Sequence, residues 1–195
     1  MKIVFATHNS NKLKEIQQLL PAFIELVSLD TIGCTDEIPE TANTLEGNAK
    51  IKADFVTKNY QLPCFADDTG LIVNSLNGEP GVYSARYAGE QNDSQANMSK
   101  LLQNLENKKD RTAHFKTVIA LNINGETHIF EGKINGVITI CQKGLHGFGY
   151  DPIFKPNGYD ETFAELPLYI KNSISHRGQA VQKLIAYLKN INVTR

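Results

Sequence analysis

The first twenty residues constrain the fold most, because they change from a short apolar run to helical periodicity across a polar loop. Residues 2–6 form the apolar run, and apolar side chains then recur at helical spacing from Leu13 to Leu20. Pro21 ends that pattern. The order predicts a strand, a loop and a helix at the start of the chain.

The rest of the chain also mixes strand and helix patterns. Asn124-Gly125 lies between two strand-like runs and is a strong hairpin signal, and Asn135-Gly136 precedes a further strand. We expect strands at 24–28, 64–66, 71–73, 112–123, 126–132 and 137–140, and helices at 44–59, at 92–106 and after residue 175. These patterns predict an α/β chain whose sheet contains both parallel and antiparallel pairs.

Length and charge limit the classes of function. The 195 residues suit one large domain or two closely packed lobes. With 20 Lys and Arg against 21 Asp and Glu, the chain lacks the basic excess that drives nonspecific binding to nucleic acid or anionic membranes. No apolar run is long enough for a membrane span or a signal-peptide core, so we expect a cytoplasmic protein. A polyanionic ligand should therefore be small and bound at a focused site.

The polar loop between the first strand and the first helix is one candidate site. A helix N-terminus offers unpaired N–H groups and a partial positive charge, which suit phosphate oxygens. The loop consists of Thr7, His8, Asn9, Ser10, Asn11 and Lys12. It lacks the glycines of a P-loop, and a polar helix cap with a solvated lysine is the alternative interpretation.

Two adjacent acids, Asp67 and Asp68, stand in an otherwise apolar stretch, which the pattern places at a strand end. Charge in such a setting is costly unless it is paired or bound to a cation, and carboxylate oxygens suit Mg²⁺. Glu40, in an acidic segment, is the further carboxylate that we expect at the metal. The alternatives are a simple Asp-Asp-Thr-Gly turn and a solvated acidic loop.

Further candidates lie on the predicted helix from residue 44 and in a glycine-rich loop. Glu46, Lys50 and Ala53 fall near one face of this helix, and Asn48 and Lys52 fall four residues apart on another. Either face is functional or an ordinary charged surface. The loop of residues 144–152 carries Phe148 and Tyr150, which could stack on a base, or forms a tight connection between strands.

Three potential cations, Lys171, His176 and Arg177, stand just ahead of the last predicted helix. Ser175 could cap that helix, but the three cations match an anionic or oxo-bearing ligand better than a cap requires. Phosphate donors, a carboxylate metal site and a base-sized aromatic loop together point to a nucleotide.

Six ordered segments resemble the inosine triphosphate pyrophosphatase family, the Ham1/RdgB-like enzymes. These are Thr7-x-Asn9-x-x-Lys12, Glu46-x-Asn48-Ala49-x-Ile51-Lys52-Ala53, Ala66-Asp67-Asp68-Thr69-Gly70-Leu71, Pro80-Gly81-Val82-Tyr83-Ser84-Ala85-Arg86-Tyr87, Gly147-Phe148-Gly149-Tyr150-Asp151-Pro152-x-Phe154 and Ser175-His176-Arg177-Gly178. His8 and Asn11 stand where glycine is common in the family, Thr69 where serine is common, and Gly47 where a second glutamate often occurs.

The resemblance implies an elongated mixed central sheet with two lobes around a substrate cleft, one domain over residues 1–195, and a homodimer. It implies hydrolysis of ITP, dITP and XTP to the monophosphate and pyrophosphate, with Mg²⁺ held by Glu40 and Asp68 and with Asp68 as the catalytic base. The implied substrate-binding residues are Thr7, His8, Asn9, Ser10, Asn11, Lys12, Lys52, Thr69, Phe148, Gly149, Tyr150, Asp151, Lys171, His176 and Arg177.

Two other functions stay open on the sequence alone. A nucleotide sensor would use the same phosphate cradle without hydrolysis, but it would not need carboxylates at a metal. A broad metal-dependent phosphoesterase would release orthophosphate rather than pyrophosphate.

Overall fold

A computed structural model describes residues 1–89 and 92–193 of the chain, and the side chains as far as residue 191. The described residues form strands β1 (Lys2–Phe5), β2 (Glu25–Val27), β3 (Cys64–Val73), β4 (Pro80–Gly81), β5 (Thr112–Ile123), β6 (Glu126–Ile138) and β7 (Phe154–Pro156), and helices α1 (Ser10–Leu19), α2 (Leu45–Tyr60), α3 (Ser94–Asn104), α4 (Leu168–Ile174) and α5 (His176–Val193). The predicted α/β class is confirmed. In the part of the chain that the structure describes, no helix has the length and apolarity of a membrane span.

The seven strands form one mixed sheet. Its order is β2-β1-β3-β5-β6-β7, and β4 pairs with β3 off this path. Strand β1 is parallel to both β2 and β3, whereas the β3–β4 and β6–β7 pairs are antiparallel. The predicted coexistence of parallel and antiparallel pairs is therefore confirmed.

The chain divides into two compact units. The first contains residues 1–68, 117–132 and the described residues from 177 onward, and the second contains 69–116 and 133–176. The first unit has a core in which α1 and α5 pack with β1, β3 and β5 through residues such as Phe5, Ile16, Phe65, Leu121 and Leu184. Burial of such side chains stabilises a fold by about 1.5–3 kcal/mol each.

The second unit has a core of its own. Leu101 of α3 and Leu105, just after the helix, pack there with Phe115 of β5 and with Phe154 and Phe163. Phe115 and Phe154 meet edge to face with 4.7 Å between ring centroids, an arrangement that the aromatic quadrupole favours.

The predicted hairpin is confirmed at Asn124 and Gly125, both of which have positive φ (53° and 81°). Two-residue turns with positive φ at both positions match the twist of antiparallel strands, which explains the Asn-Gly pair. The prediction of a break at Asn135-Gly136 is wrong, because β6 continues through both residues to Ile138.

The prediction that Asp67 and Asp68 lie at a strand end is also wrong. Strand β3 runs without a break from Cys64 to Val73, with both acids inside it. Neighbouring strands on both sides supply backbone partners for β3, and this pairing overrides the turn preference of the local sequence. Helix α4 was not predicted, because its seven residues are too few for a clear helical period.

Candidate functional site

The loop after β1 is held at the N-terminus of α1 by its own side chains. The Asn9 side-chain oxygen accepts hydrogen bonds from the backbone N–H groups of Asn11 (3.0 Å) and Lys12 (3.1 Å), so Asn9 is the N-cap of the helix. The backbone N–H of Asn9 donates to the Thr7 hydroxyl at 3.1 Å. Nε2 of His8 lies 3.0 Å from the carbonyl oxygen of Asp36.

The alternative interpretation of Lys12 as a solvated lysine is wrong. Its Nζ lies 2.9 Å from Oδ1 of Asp67, and its side chain is only 14% exposed. Burial opposes the charge on Lys12 and lowers its pKa, although Asp67 acts in the opposite direction. The first turn of α1 therefore carries a buried cation beside the capped helix end.

A chain of alternating charges continues from Lys12 within the first unit. Oδ2 of Asp67 accepts a hydrogen bond from Nε of Arg177 at 3.3 Å, and Nη1 of Arg177 donates to Oε2 of Glu15 at 2.5 Å. Burial opposes ionisation of Asp67, but Lys12, Arg177 and Lys52 together hold its pKa below the usual range. Asp67 is therefore an ionised counter-ion of two buried cations.

Asp68, the next residue of β3, has different neighbours. The amide of Asn48 donates to Oδ2 of Asp68 at 3.2 Å, and Nζ of Lys52 lies 3.5 Å from Oδ1. The same Nζ lies 2.5 Å from Oε1 of Glu40. Burial raises the pKa of Asp68, with Glu40 and Asp67 adding to the rise against the opposing effect of Lys52.

The structure therefore brings Glu40 and Asp68 to the same ammonium group. The surrounding set of ionisable side chains holds three cations and four carboxylates, and so carries a formal charge of −1: Lys12, Lys52, Arg177, Glu15, Glu40, Asp67 and Asp68. Two carboxylates fit Mg²⁺, which takes one or two carboxylates along with phosphate oxygens and water. No cluster of three or more His, Cys, Asp or Glu with metal-ligand geometry occurs within 1–89 and 92–193.

The second unit holds another group of predicted residues. Nζ of Lys171 lies 2.6 Å from Oδ2 of Asp151, and both side chains are about 95% buried. The same oxygen accepts from the backbone N–H of Phe148 at 2.8 Å, and Lys171 lies 5.1 Å from the centroid of the Phe148 ring. A Cβ on Gly147 would be 2.1 Å from Oδ2 of Asp151, so this loop needs a glycine there.

The other predicted residues are placed as follows. His176 stacks on Phe115 with 4.5 Å between ring centroids and is 4% exposed. The Tyr150 hydroxyl donates to the carbonyl of Ser84 at 2.8 Å, so this ring is packed in the second unit. Thr69 follows Asp68 in β3 and is half-buried, and Gly149 has a φ of 62° in the loop.

The predicted site residues did not include Glu15 and Asn48, which contact other side chains of the candidate site in the first unit. Glu15 lies one helical turn after Lys12 and is 8% exposed, and Asn48 is completely buried. A charged residue next to the buried Ile16 was the available signal for Glu15. Asn48 stood in a segment already singled out, on the same helix face as Lys52.

The fold and these side chains define a mixed α/β protein with buried ionised groups gathered at a helix N-terminus and along a central strand. The chain belongs to the Ham1 family, whose model matches residues 3–187. It is 61% identical to a dITP/XTP pyrophosphatase of Flavobacterium johnsoniae over 188 residues, which cover 96% of this chain and 98% of the relative. The dITP/XTP pyrophosphatase of Bacillus subtilis is 47% identical over 95% of this chain and 96% of its own.

Solved structures give the same family and fold. A HAM1 protein from Coxiella burnetii superposes with a TM-score of 0.90 at 41% identity, covering 97% of this chain and 99% of the other. The Ham1 protein of Staphylococcus aureus has a TM-score of 0.89 at 39% identity, with the same coverage. The predicted family and the mixed α/β fold are confirmed.

Proposed function

We propose that this chain hydrolyses the non-standard purine nucleoside triphosphates ITP, dITP and XTP to the monophosphate and pyrophosphate. The observation that carries the proposal is the convergence of Glu40 and Asp68 on Lys52 inside one compact unit. The similarity to proteins named dITP/XTP pyrophosphatase over nearly the whole chain supports the substrate class. We propose that residues 1–195 act as one nucleoside triphosphate pyrophosphatase domain.

Glu40 and Asp68 are the proposed ligands of Mg²⁺. When bound, the ion neutralises phosphate charge and lowers the pKa of a coordinated water. Asp68 is the proposed base for the attacking water. In the metal-free protein burial raises the pKa of Asp68, and a bound cation would favour its ionised form, which is the form that accepts a proton.

The loop of residues 7–12 and Lys52 are the proposed triphosphate-binding groups. Lys12 and Lys52 supply positive charge where a triphosphate gathers negative charge, and phosphoryl transfer depends mainly on such positioning and neutralisation. The ammonium of Lys12 has three N–H donors, so its bond to Asp67 leaves capacity for a phosphate oxygen.

The remaining proposed contacts to the nucleotide are Thr69, Phe148, Gly149, Tyr150, Asp151, Lys171, His176 and Arg177. A site selects a 6-oxo purine when its buried donors form hydrogen bonds to the oxo group. Opposite the amino group of adenine the same donors stay unpaired, which costs free energy. A homodimer, implied by the family resemblance, and a cytoplasmic location, expected from the lack of a long apolar run, stay predictions.

Product analysis on purified protein tests the proposal. We expect ITP, dITP and XTP to give equal amounts of monophosphate and pyrophosphate in the presence of Mg²⁺, ATP to react much more slowly, and EDTA to stop the reaction. Orthophosphate as the main product would favour the phosphoesterase. Tight ITP binding with no product would favour the sensor.

A further inference from the structure

We infer that Asn48 is a positioning residue that fixes both proposed metal-binding carboxylates, an inference that rests on the proposed function. One amide side chain reaches the two separate parts of the chain that carry those carboxylates. Its Nδ2 donates to Asp68 of β3, and its Oδ1 accepts from the backbone N–H of Ala42 at 2.9 Å. Ala42 lies two residues after Glu40.

The position of Asn48 in α2 makes this double contact possible. It is the fourth residue of the helix, one turn after the Thr44 N-cap, and it is completely buried. A buried amide stabilises a structure only when both of its ends are paired, and here both are. The contact with Asp68 binds Oδ2, while Oδ1 is the oxygen nearest Lys52.

Gly47 allows the segment that carries Glu40 to come this close. A Cβ at residue 47 would lie 2.5 Å from Cβ of Ala42 and 3.0 Å from the Thr44 hydroxyl. The glycine therefore lets residues 42–44 pack directly on the first turn of α2. The hydrogen bond from Ala42 to Asn48 then fixes the height of this segment along the helix.

Lys52 follows Asn48 by one turn of the same helix and completes the arrangement. Its ammonium contacts Glu40 and Asp68 together, so this helix face contacts the Asp68 carboxylate twice, and it holds the segment of Glu40 through that carboxylate and through the backbone of Ala42. The two residues act differently: Lys52 contributes charge, whereas Asn48 is neutral and contributes orientation. A neutral donor fixes the plane of the Asp68 carboxylate without cancelling the charge that a cation needs.

The test compares Asn48→Ala with a matched control, Asn97→Ala. Asn97 is also a buried asparagine at the fourth position of a helix, α3, and its Oδ1 also accepts from a backbone N–H of the preceding segment, that of Ala88. Its Nδ2 donates to the carbonyl of Ala85 rather than to a carboxylate. The control therefore reproduces the loss of a buried amide without touching an acid.

Four quantities are measured for each protein: the melting temperature, the Kd for Mn²⁺ without nucleotide, and kcat and KM for ITP. We expect both variants to melt earlier. Only Asn48→Ala should raise the Kd for Mn²⁺ and lower kcat, by roughly 10-fold to 100-fold as is typical for groups that orient metal ligands, with KM changing much less.

The isosteric variant Asn48→Asp keeps the acceptor for Ala42 but cannot donate to an ionised Asp68. We expect it to lose kcat as Asn48→Ala does, because it lacks the donor to Asp68 and places a second carboxylate against it. Suppose that the wild type is active. An unchanged Kd for Mn²⁺ in Asn48→Ala, or full turnover in Asn48→Asp, then overturns the inference and leaves the proposed function standing. A wild type that releases no pyrophosphate overturns the proposed function and the inference with it.

Discussion

Asp67 and Asp68 are adjacent in β3, yet their surroundings shift their pKa values in opposite directions. Successive side chains of a strand point to opposite faces, so the two acids meet different neighbours. Asp67 meets Lys12 and Arg177, which outweigh its burial and keep it ionised, whereas burial raises the pKa of Asp68 and a second carboxylate, Glu40, adds to the rise. Two acids with separated pKa values can divide the roles of counter-ion and base.

Replacing each acid by its amide tests this division. We expect Asp68→Asn to lower kcat for ITP by about 100-fold or more, because the amide neither accepts the proton nor holds a cation as a carboxylate does. Asp67→Asn is the matched variant, and it should chiefly raise KM and lower the melting temperature, since Lys12 and Arg177 lose their shared counter-ion. Steady-state kinetics at saturating Mg²⁺ decide the matter. Turnover near that of the wild type in Asp68→Asn would remove Asp68 from the chemistry.

At the scale of single residues, the sequence predicted which residues belong to the candidate site better than it predicted which side chains they contact. Local patterns pointed to Lys12, Lys52 and Asp68 because each stands in a recognisable segment. The ion pair of Arg177 with Glu15 joins residues 162 positions apart, and no local spacing reports such a contact. The resemblance placed Arg177 near the purine, and the structure adds that two of its nitrogens bind carboxylates.

Among the elements, β6 shows how a glycine can be required by close packing rather than by a turn. A Cβ at Gly136 would lie 2.3 Å from the carbonyl oxygen of Lys155 and 2.7 Å from the Phe154 ring, both at the edge where β7 pairs with β6. Asn-Gly is a frequent turn sequence, so the pattern indicated a break in the strand. The close approach of β7 depends on the partner strand and cannot be read from the glycine's own neighbours in sequence.

Gly136→Ala is expected to destabilise the protein by about 1–3 kcal/mol, because the added methyl group must displace a backbone carbonyl. Urea unfolding measures this as a lower midpoint. The exposed neighbour Asn135 provides the control, and Asn135→Ala should stay within about 0.5 kcal/mol of the wild type. Equal midpoints for the two variants would contradict the packing explanation.

Long elements were the most predictable part of the fold. The Asn-Gly hairpin and helices α1, α2, α3 and α5 follow from period and turn chemistry, which act over a few neighbouring residues. Strand β3 was split in the prediction because Asp67 to Gly70 has the composition of a turn. Pairing in the sheet, where β3 lies between β1 and β5, decides its conformation instead.

At the scale of the whole molecule, charge is distributed unevenly, although the net charge of the chain is only −1. The carboxylates around Lys52 and Lys12 exceed the cations among them, and all are more than half buried. Buried charge of one sign is costly, so an added cation should stabilise the folded protein more than it stabilises the unfolded chain.

Mg²⁺ should therefore raise the melting temperature in the absence of nucleotide. A ligand that binds only the folded state at 100 times its Kd stabilises it by about 2.7 kcal/mol. For a chain of this size, each kcal/mol corresponds to roughly 2–4 °C. A thermal-shift titration with MgCl₂ against NaCl of equal ionic strength measures the effect, and EDTA should reverse it. Glu40→Gln and Asp68→Asn should each remove most of the rise, because each deletes one proposed ligand; an undiminished rise in both variants would place the ion elsewhere.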